Sequence, residues 1–138
     1  MKLSARNQIS GTVTSIAEGA VNSIVTIDAK GIKIKGTISV EAVKELGLTV
    51  GKEAYAIVKA TEVMIGVGSM KLSARNQWAG EVTSVTEGSV NSIVTLTLTN
   101  GELVTSSISK DAVEELGLVI GLGATAVIKA TSVMFGIE

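Results

Sequence analysis

Residues 1–8, MKLSARNQ, return unchanged as residues 70–77, and no other feature limits the possible folds so strongly. A shift of 69 aligns residues 1–27 with 70–96 at twenty of twenty-seven positions. After a one-residue insertion near Thr97–Asn100, a shift of 70 carries the match onward. GTISVEAVKELGL then faces SSISKDAVEELGL, and AIVKATEVMIG faces AVIKATSVMFG. The chain is therefore two copies of one unit, 1–67 and 70–138, joined at residues 68–69 by Gly68-Ser69. So short a joint makes the units neighbours in space. A unit of this size buries only about 60% of the surface its unfolded chain exposes, so each is expected to lean on the other and on further copies.

Within a unit the pattern is mostly that of strands. TVTSI and SIVTI alternate at period two, with EGAVN (EGSVN in the second copy) as the turn between them. Val50–Lys59 and Ile120–Lys129 are rich in β-branched residues and Ala, and TEVMIG and TSVMFG read as short strands closing their units. One helix interrupts: Ser39 is the N-cap, Val40–Leu46 the body and Gly47 the stop, repeated from Ser109 to Gly117. Val43 and Leu46 would pack on the sheet. Several short strands and one short helix per unit predict an all-β protein of two tandem OB-like small barrels.

The chemistry the chain lacks is informative. It has no His, no Cys and no Pro, which excludes disulfides, thiolate or imidazole metal sites and the commonest general base. No nucleophile or phosphate-loop motif is present, and no carboxylate pair repeats at a catalytic spacing. Glu18 and Glu87 do match, as polar residues at a turn. The reading is of a non-enzyme with no cofactor and no metal held by direct side-chain ligation. No signal peptide and no apolar run of membrane-spanning length is visible. Only three aromatics are present and the net charge is −1, which argues against a nucleic-acid-binding OB module, with its stacking platform and basic groove. That module, or a regulatory domain acting through protein partners, is the alternative function class.

The polar residues that both copies keep are of one kind. Ser4, Arg6, Asn7 and Gln8 recur as Ser73, Arg75, Asn76 and Gln77. Lys59, Ala60 and Thr61 recur as Lys129, Ala130 and Thr131, and Ser39 as Ser109. Repeat 1 has seven lysines and repeat 2 three, yet Lys59 keeps its counterpart while Lys33, Lys35, Lys44 and Lys52 do not. Guanidinium, ammonium and hydroxyl groups with backbone amides form a set of hydrogen-bond donors, which is what a tetrahedral dianion requires.

SARNQ, then GxVN, then VKAT or IKAT followed by VM, twice in order, resembles the molbindin (Mop domain) family along almost the whole of both units. A chain of two such units is similar to the di-Mop molbindins. The resemblance implies OB-like barrels and a cytoplasmic role in binding and storing molybdate, tungstate or both, without catalysis. It implies a homo-oligomer, a trimer in two-unit members, with six barrels around a threefold axis and oxyanion sites between barrels. One class of site would use Ser4, Arg6, Lys59, Ala60 and Thr61, with Ser39 from a neighbouring barrel. In the second unit these are Ser73, Arg75, Lys129, Ala130, Thr131 and Ser109. A second class near the axis would use Gly19, Val21 and Asn22, with Gly88, Val90 and Asn91. Many relatives have Ser where Ala60 and Ala130 stand here. Each missing hydroxyl removes a donor worth roughly 1.5–3 kcal/mol toward an anion.

Overall fold

A computed structural model describes all 138 residues. Repeat 1 runs β1 (Asn7–Glu18), β2 (Asn22–Ala29), β3 (Ile32–Ser39), α1 (Val40–Leu46), β4 (Glu53–Val58), a 3-10 turn at Ala60–Glu62 and β5 (Met64–Gly66). Repeat 2 follows the same order: β6 (Asn76–Glu87), β7 (Asn91–Leu98), β8 (Leu103–Ser109), α2 (Lys110–Leu116), β9 (Gly123–Ile128), a 3-10 turn at Ala130–Ser132 and β10 (Met134–Gly136). All strand pairings are antiparallel, and the fold is two curled five-stranded sheets, each carrying one short helix.

The first strand of each repeat serves two neighbours. Residues 7–12 of β1 pair with β4 and residues 12–18 with β2, and a bulge between Val13 and Ser15 bends the strand between them. β6 has its bulge at Val82/Ser84. The bend presses backbone on backbone: a Cβ at Gly11 would lie 2.6 Å from the Asp28 carbonyl oxygen, and one at Gly80 2.5 Å from that of Thr97. Only glycine permits that approach.

Both helices match the sequence expectation residue for residue. The Ser39 and Ser109 hydroxyls accept from the Ala42 and Ala112 amides at 3.0 Å, and Gly47 and Gly117 end the helices in the left-handed conformation. Val43 and Leu46 are half-buried against the core. The β2–β3 hairpin turns on Lys30-Gly31, both at positive φ. The one-residue insertion falls in the matching hairpin of repeat 2, where Asn100 donates to the Ala29 carbonyl of repeat 1 at 2.7 Å.

The closing strands depart from expectation. TEVMIG and TSVMFG do form short strands, but neither closes its own unit. β5 pairs with β9, and β10 pairs with β4, so each sheet takes its outermost strand from the other repeat. Three residues of alternating pattern carry no information about their partner; side-chain fit chooses it. The exchange joins the cores into one cluster, in which Ile9, Val25, Ile27 and Ile34 of repeat 1 share contacts with Trp78, Val94, Leu96 and Phe135 of repeat 2.

The opposite edges, β3 and β8, are closed by asparagines. The Asn76 amide donates to the Lys35 carbonyl and accepts from the Lys35 N–H, both at 2.8 Å, and also donates to the Ile128 carbonyl at 3.2 Å. Asn7 makes the same contacts with Thr105 and Val58. A side-chain amide thus stands in for a neighbouring strand on an otherwise open edge.

Past β10, the Tyr55 hydroxyl of β4 donates to Glu138 Oε1 at 2.6 Å. That hydrogen bond, and then the carboxylate's charge, hold the phenol above its ordinary 10.0, while Glu138 is lowered, first by the same bond. Tyr55 is the only tyrosine, so an absorbance titration reads it alone. Its midpoint is expected above 10.0 and closer to 10.0 in Glu138→Gln. An unchanged midpoint in the variant would show that the tail does not rest on β4.

Candidate functional site

Two cavities lie where the repeats meet. One, of about 510 Å³, is lined by Ser4, Arg6, Lys59, Ala60 and Thr61, with Ile93 and Ser107 from the other repeat and Met134 from the exchanged strand β10. Its counterpart, of about 440 Å³, is lined by Ser73, Arg75, Lys129, Ala130 and Thr131, with Thr37 and Met64 from repeat 1. The segments 4–6 and 59–61, far apart in sequence, therefore meet in space, and so do 73–75 and 129–131.

The geometry follows from the strands. Arg6 ends the loop that enters β1 and Lys59 leaves β4; β1 and β4 are paired, with Asn7 opposite Val58, so the two cationic residues flank one pair of bonded strands. Gln8 holds the entry loop by donating to the Leu3 and Ala5 carbonyls at 3.1 and 2.9 Å, and Gln77 does the same for Leu72 and Ala74. Ala60 and Ala130 are buried at the start of uncapped 3-10 turns, while Arg6, Lys59, Arg75 and Lys129 are exposed.

The electrostatics are one-sided. The chain's ion pairs are Lys33–Asp28 and the Met1 amino group with Glu138, so no carboxylate lies within pairing distance of the four cavity cations. No group of His, Cys, Asp and Glu is arranged to hold a metal ion. Between apolar walls, such cavities offer an anion several donors and no competing carboxylate.

The structure also shows what the sequence pattern missed. Thr37 and Ser107, at matching positions of β3 and β8, each place a hydroxyl in the cavity built mainly by the other repeat. Their one signal was that both copies keep a hydroxyl there. Asn7 and Asn76, which recur beside the arginines, bind the opposing repeat rather than facing a ligand.

Ser39 and Ser109 do not join these cavities within one chain. Ser39 caps α1 and lines a separate cavity of about 470 Å³ with Ala20, Val21, Val40 and Glu41. The GxVN segments are tight turns: Gly19 N–H donates to the Asn22 carbonyl and Gly88 N–H to that of Asn91, each at 2.9 Å. Val21 and Val90 stand at the tips, 72% exposed. No helix is long and apolar enough to cross a membrane.

The TOBE-domain family model matches the chain twice, over residues 3–65 and 72–135. A probable molybdenum-pterin-binding protein of Haemophilus influenzae is 62% identical over 68 residues, which is 49% of this chain and 99% of that protein. The molybdenum transport protein ModE of Herbaspirillum seropedicae is 40% identical over 100% of this chain and 52% of its own length. The molybdenum-pterin-binding protein MopA of Rhodobacter capsulatus is 36% identical over 97% of this chain and 52% of its own length. The chain thus spans about half the length of those two relatives. Among solved structures, the molybdate-bound form of the cytoplasmic molybdate-binding protein ModG superposes with a TM-score of 0.97 at 44% identity, over the full length of both chains.

Proposed function

Because the chain belongs to the TOBE-domain family, as two tandem Mop-type units, we propose that it binds and stores molybdate, tungstate or both in the cytoplasm. The observation that carries this is the composition of the two inter-repeat cavities: each gathers an Arg, a Lys and several hydroxyls with no carboxylate in pairing distance. Ser4, Arg6, Lys59, Ala60 and Thr61 hold one oxyanion, with Ser107 as an added donor. Ser73, Arg75, Lys129, Ala130 and Thr131 hold the other, with Thr37. The backbone amides of Ala60 and Ala130 serve where a side-chain hydroxyl is absent.

The cavities are open in a single chain, and Ser39 and Ser109 point elsewhere. A trimer of six barrels, in which neighbouring chains bring Ser39 and Ser109 to these cavities, would close them. It would also gather the Gly19–Val21–Asn22 and Gly88–Val90–Asn91 turns as a second class of site. Hydrogen phosphate carries a proton for which a donor-only site has no acceptor, whereas sulfate is fully ionised, so sulfate is the stronger competitor.

The test is a calorimetric titration of anion-stripped protein with molybdate and tungstate, with sulfate and phosphate as competitors. More than one ion per chain is expected, and Arg75→Ala should weaken one site by about tenfold or more, the worth of one charge-assisted hydrogen bond. An absence of heat and of any thermal shift with both metal oxyanions would end the storage reading.

A further inference from the structure

The two inter-repeat cavities share their Ser, Arg, Lys, Ala and Thr, but the strands that complete them differ in charge. Cavity 1, which holds Arg75, is completed by β3, whose alternate positions are Lys33, Lys35 and Thr37. Residues two apart in a strand share a face, so both lysines stand on the face from which Thr37 lines the cavity. Cavity 2, which holds Arg6, is completed by β8, whose matching positions are Leu103, Thr105 and Ser107.

A further cavity, of about 330 Å³, shows how close the extra charge comes: Lys33, Arg75, Gln77, Trp78 and Thr99 line it together. Arg75 is thus shared between cavity 1 and a space bordered by Lys33. No cavity borders Arg6 in the same way, since Leu103 and Ile9 occupy the positions of Lys33 and Trp78. The Asn76 amide grips the Lys35 backbone at 2.8 Å, which fixes β3 against the loop carrying Arg75. Of the nearby carboxylates, Asp28 pairs with Lys33 at 3.5 Å, and Glu62 accepts from Ser132 at 3.0 Å where the two 3-10 turns meet. Lys35 has no carboxylate partner.

Resting on the oxyanion reading above, we propose that the two cavities are unequal, that a dianion fills the Arg75 cavity before the Arg6 cavity, and that Lys33 and Lys35 set this order. The lysines act through their field rather than by direct contact. Asp28 offsets part of the Lys33 charge, so Lys35 carries most of the effect, and at this exposure the pair separates the two affinities several-fold at low salt. Added salt narrows the gap, because exposed charges are screened within about 10 Å at 0.1 M.

The experiment is a molybdate titration of the full chain at low and moderate salt, with wild type, Lys33→Leu/Lys35→Thr, and Leu103→Lys/Thr105→Lys. Each substitution installs the residue that the other repeat already tolerates at that position. Arg75→Ala and Arg6→Ala identify which step belongs to which cavity. Wild type should show a tighter, more salt-sensitive step that Arg75→Ala removes. Lys33→Leu/Lys35→Thr should merge it with the weaker step, and Leu103→Lys/Thr105→Lys should tighten the Arg6 step several-fold. Two equal steps in wild type, or a gap unmoved by the lysine substitutions, would overturn the proposal and leave oxyanion binding intact. No binding of either metal oxyanion to wild type would overturn both.

Discussion

Replacing Asn76 with alanine is expected to destabilise the protein by about 3 kcal/mol, from a side chain that touches no ligand. The amide makes three hydrogen bonds, two to the Lys35 backbone and one to the Ile128 carbonyl, and Asn76 is fully buried. Alanine leaves the Lys35 N–H and two carbonyls without partners at a seam that water reaches poorly, and each abandoned buried group costs roughly 1–3 kcal/mol. Partial hydration of the half-buried Lys35 keeps the sum near the low end. Asn76→Asp should be at least as damaging, because a carboxylate would face two carbonyl oxygens. Trp78 is the only tryptophan, and its indole N–H donates to the Lys33 carbonyl at 3.1 Å on the same strand. Denaturant unfolding followed by its fluorescence reports directly on this seam. A loss under 1 kcal/mol with unchanged emission would show that the Asn76 contacts add little to holding the repeats together.

The second large effect lies at Gly36. A Cβ there would overlap the Phe135 ring and crowd Val133, both from repeat 2. Repeat 2 has Ser106 at the matching position, and repeat 1 has Ile65 where repeat 2 has Phe135. Ser106 is accommodated in its own sheet, where its hydroxyl donates to the Val63 carbonyl. The small residue and the large ring are therefore complementary across the repeats, through the exchanged strand. Gly36→Ser alone should cost about 2–3 kcal/mol by overpacking. Phe135→Ile should recover most of that in the double variant, because together they give this sheet the pair that the other sheet already has. A double-mutant cycle on unfolding free energies measures the coupling. Additive losses would mean that the Phe135 ring and Gly36 do not meet across β10 and β3.

Both experiments address features that the sequence shows only faintly. Asn7 and Asn76 were visible as recurring residues beside the arginines, but nothing in SARNQ says that the asparagine binds a strand of the other repeat. Gly36 reads as one more glycine until Phe135 is placed against it. The candidate site itself was more legible. Ser, Arg, Lys, Ala and Thr of each repeat were grouped from recurrence and residue type, and the structure brings each set to one cavity. Thr37 and Ser107 were not grouped with them, because their cavity belongs chiefly to the opposite repeat.

The division has a physical origin. Helix caps, hairpin turns and strand alternation depend on residues a few positions apart, so Ser39–Gly47, the EGAVN and EGSVN turns and the site of the insertion could be read along the chain. The duplication likewise determined that there would be two units and two sets of donors. The exchanged strands, edge closure and cavity walls depend on groups far apart in sequence, 41 residues in the Asn76–Lys35 contact and 98 in the Asn7–Thr105 contact. Those contacts are selected by shape and by the need to satisfy buried polar groups, which no local pattern encodes. Only the tertiary structure decided that each repeat would finish the other's sheet, and that each donor set would be walled by its neighbour.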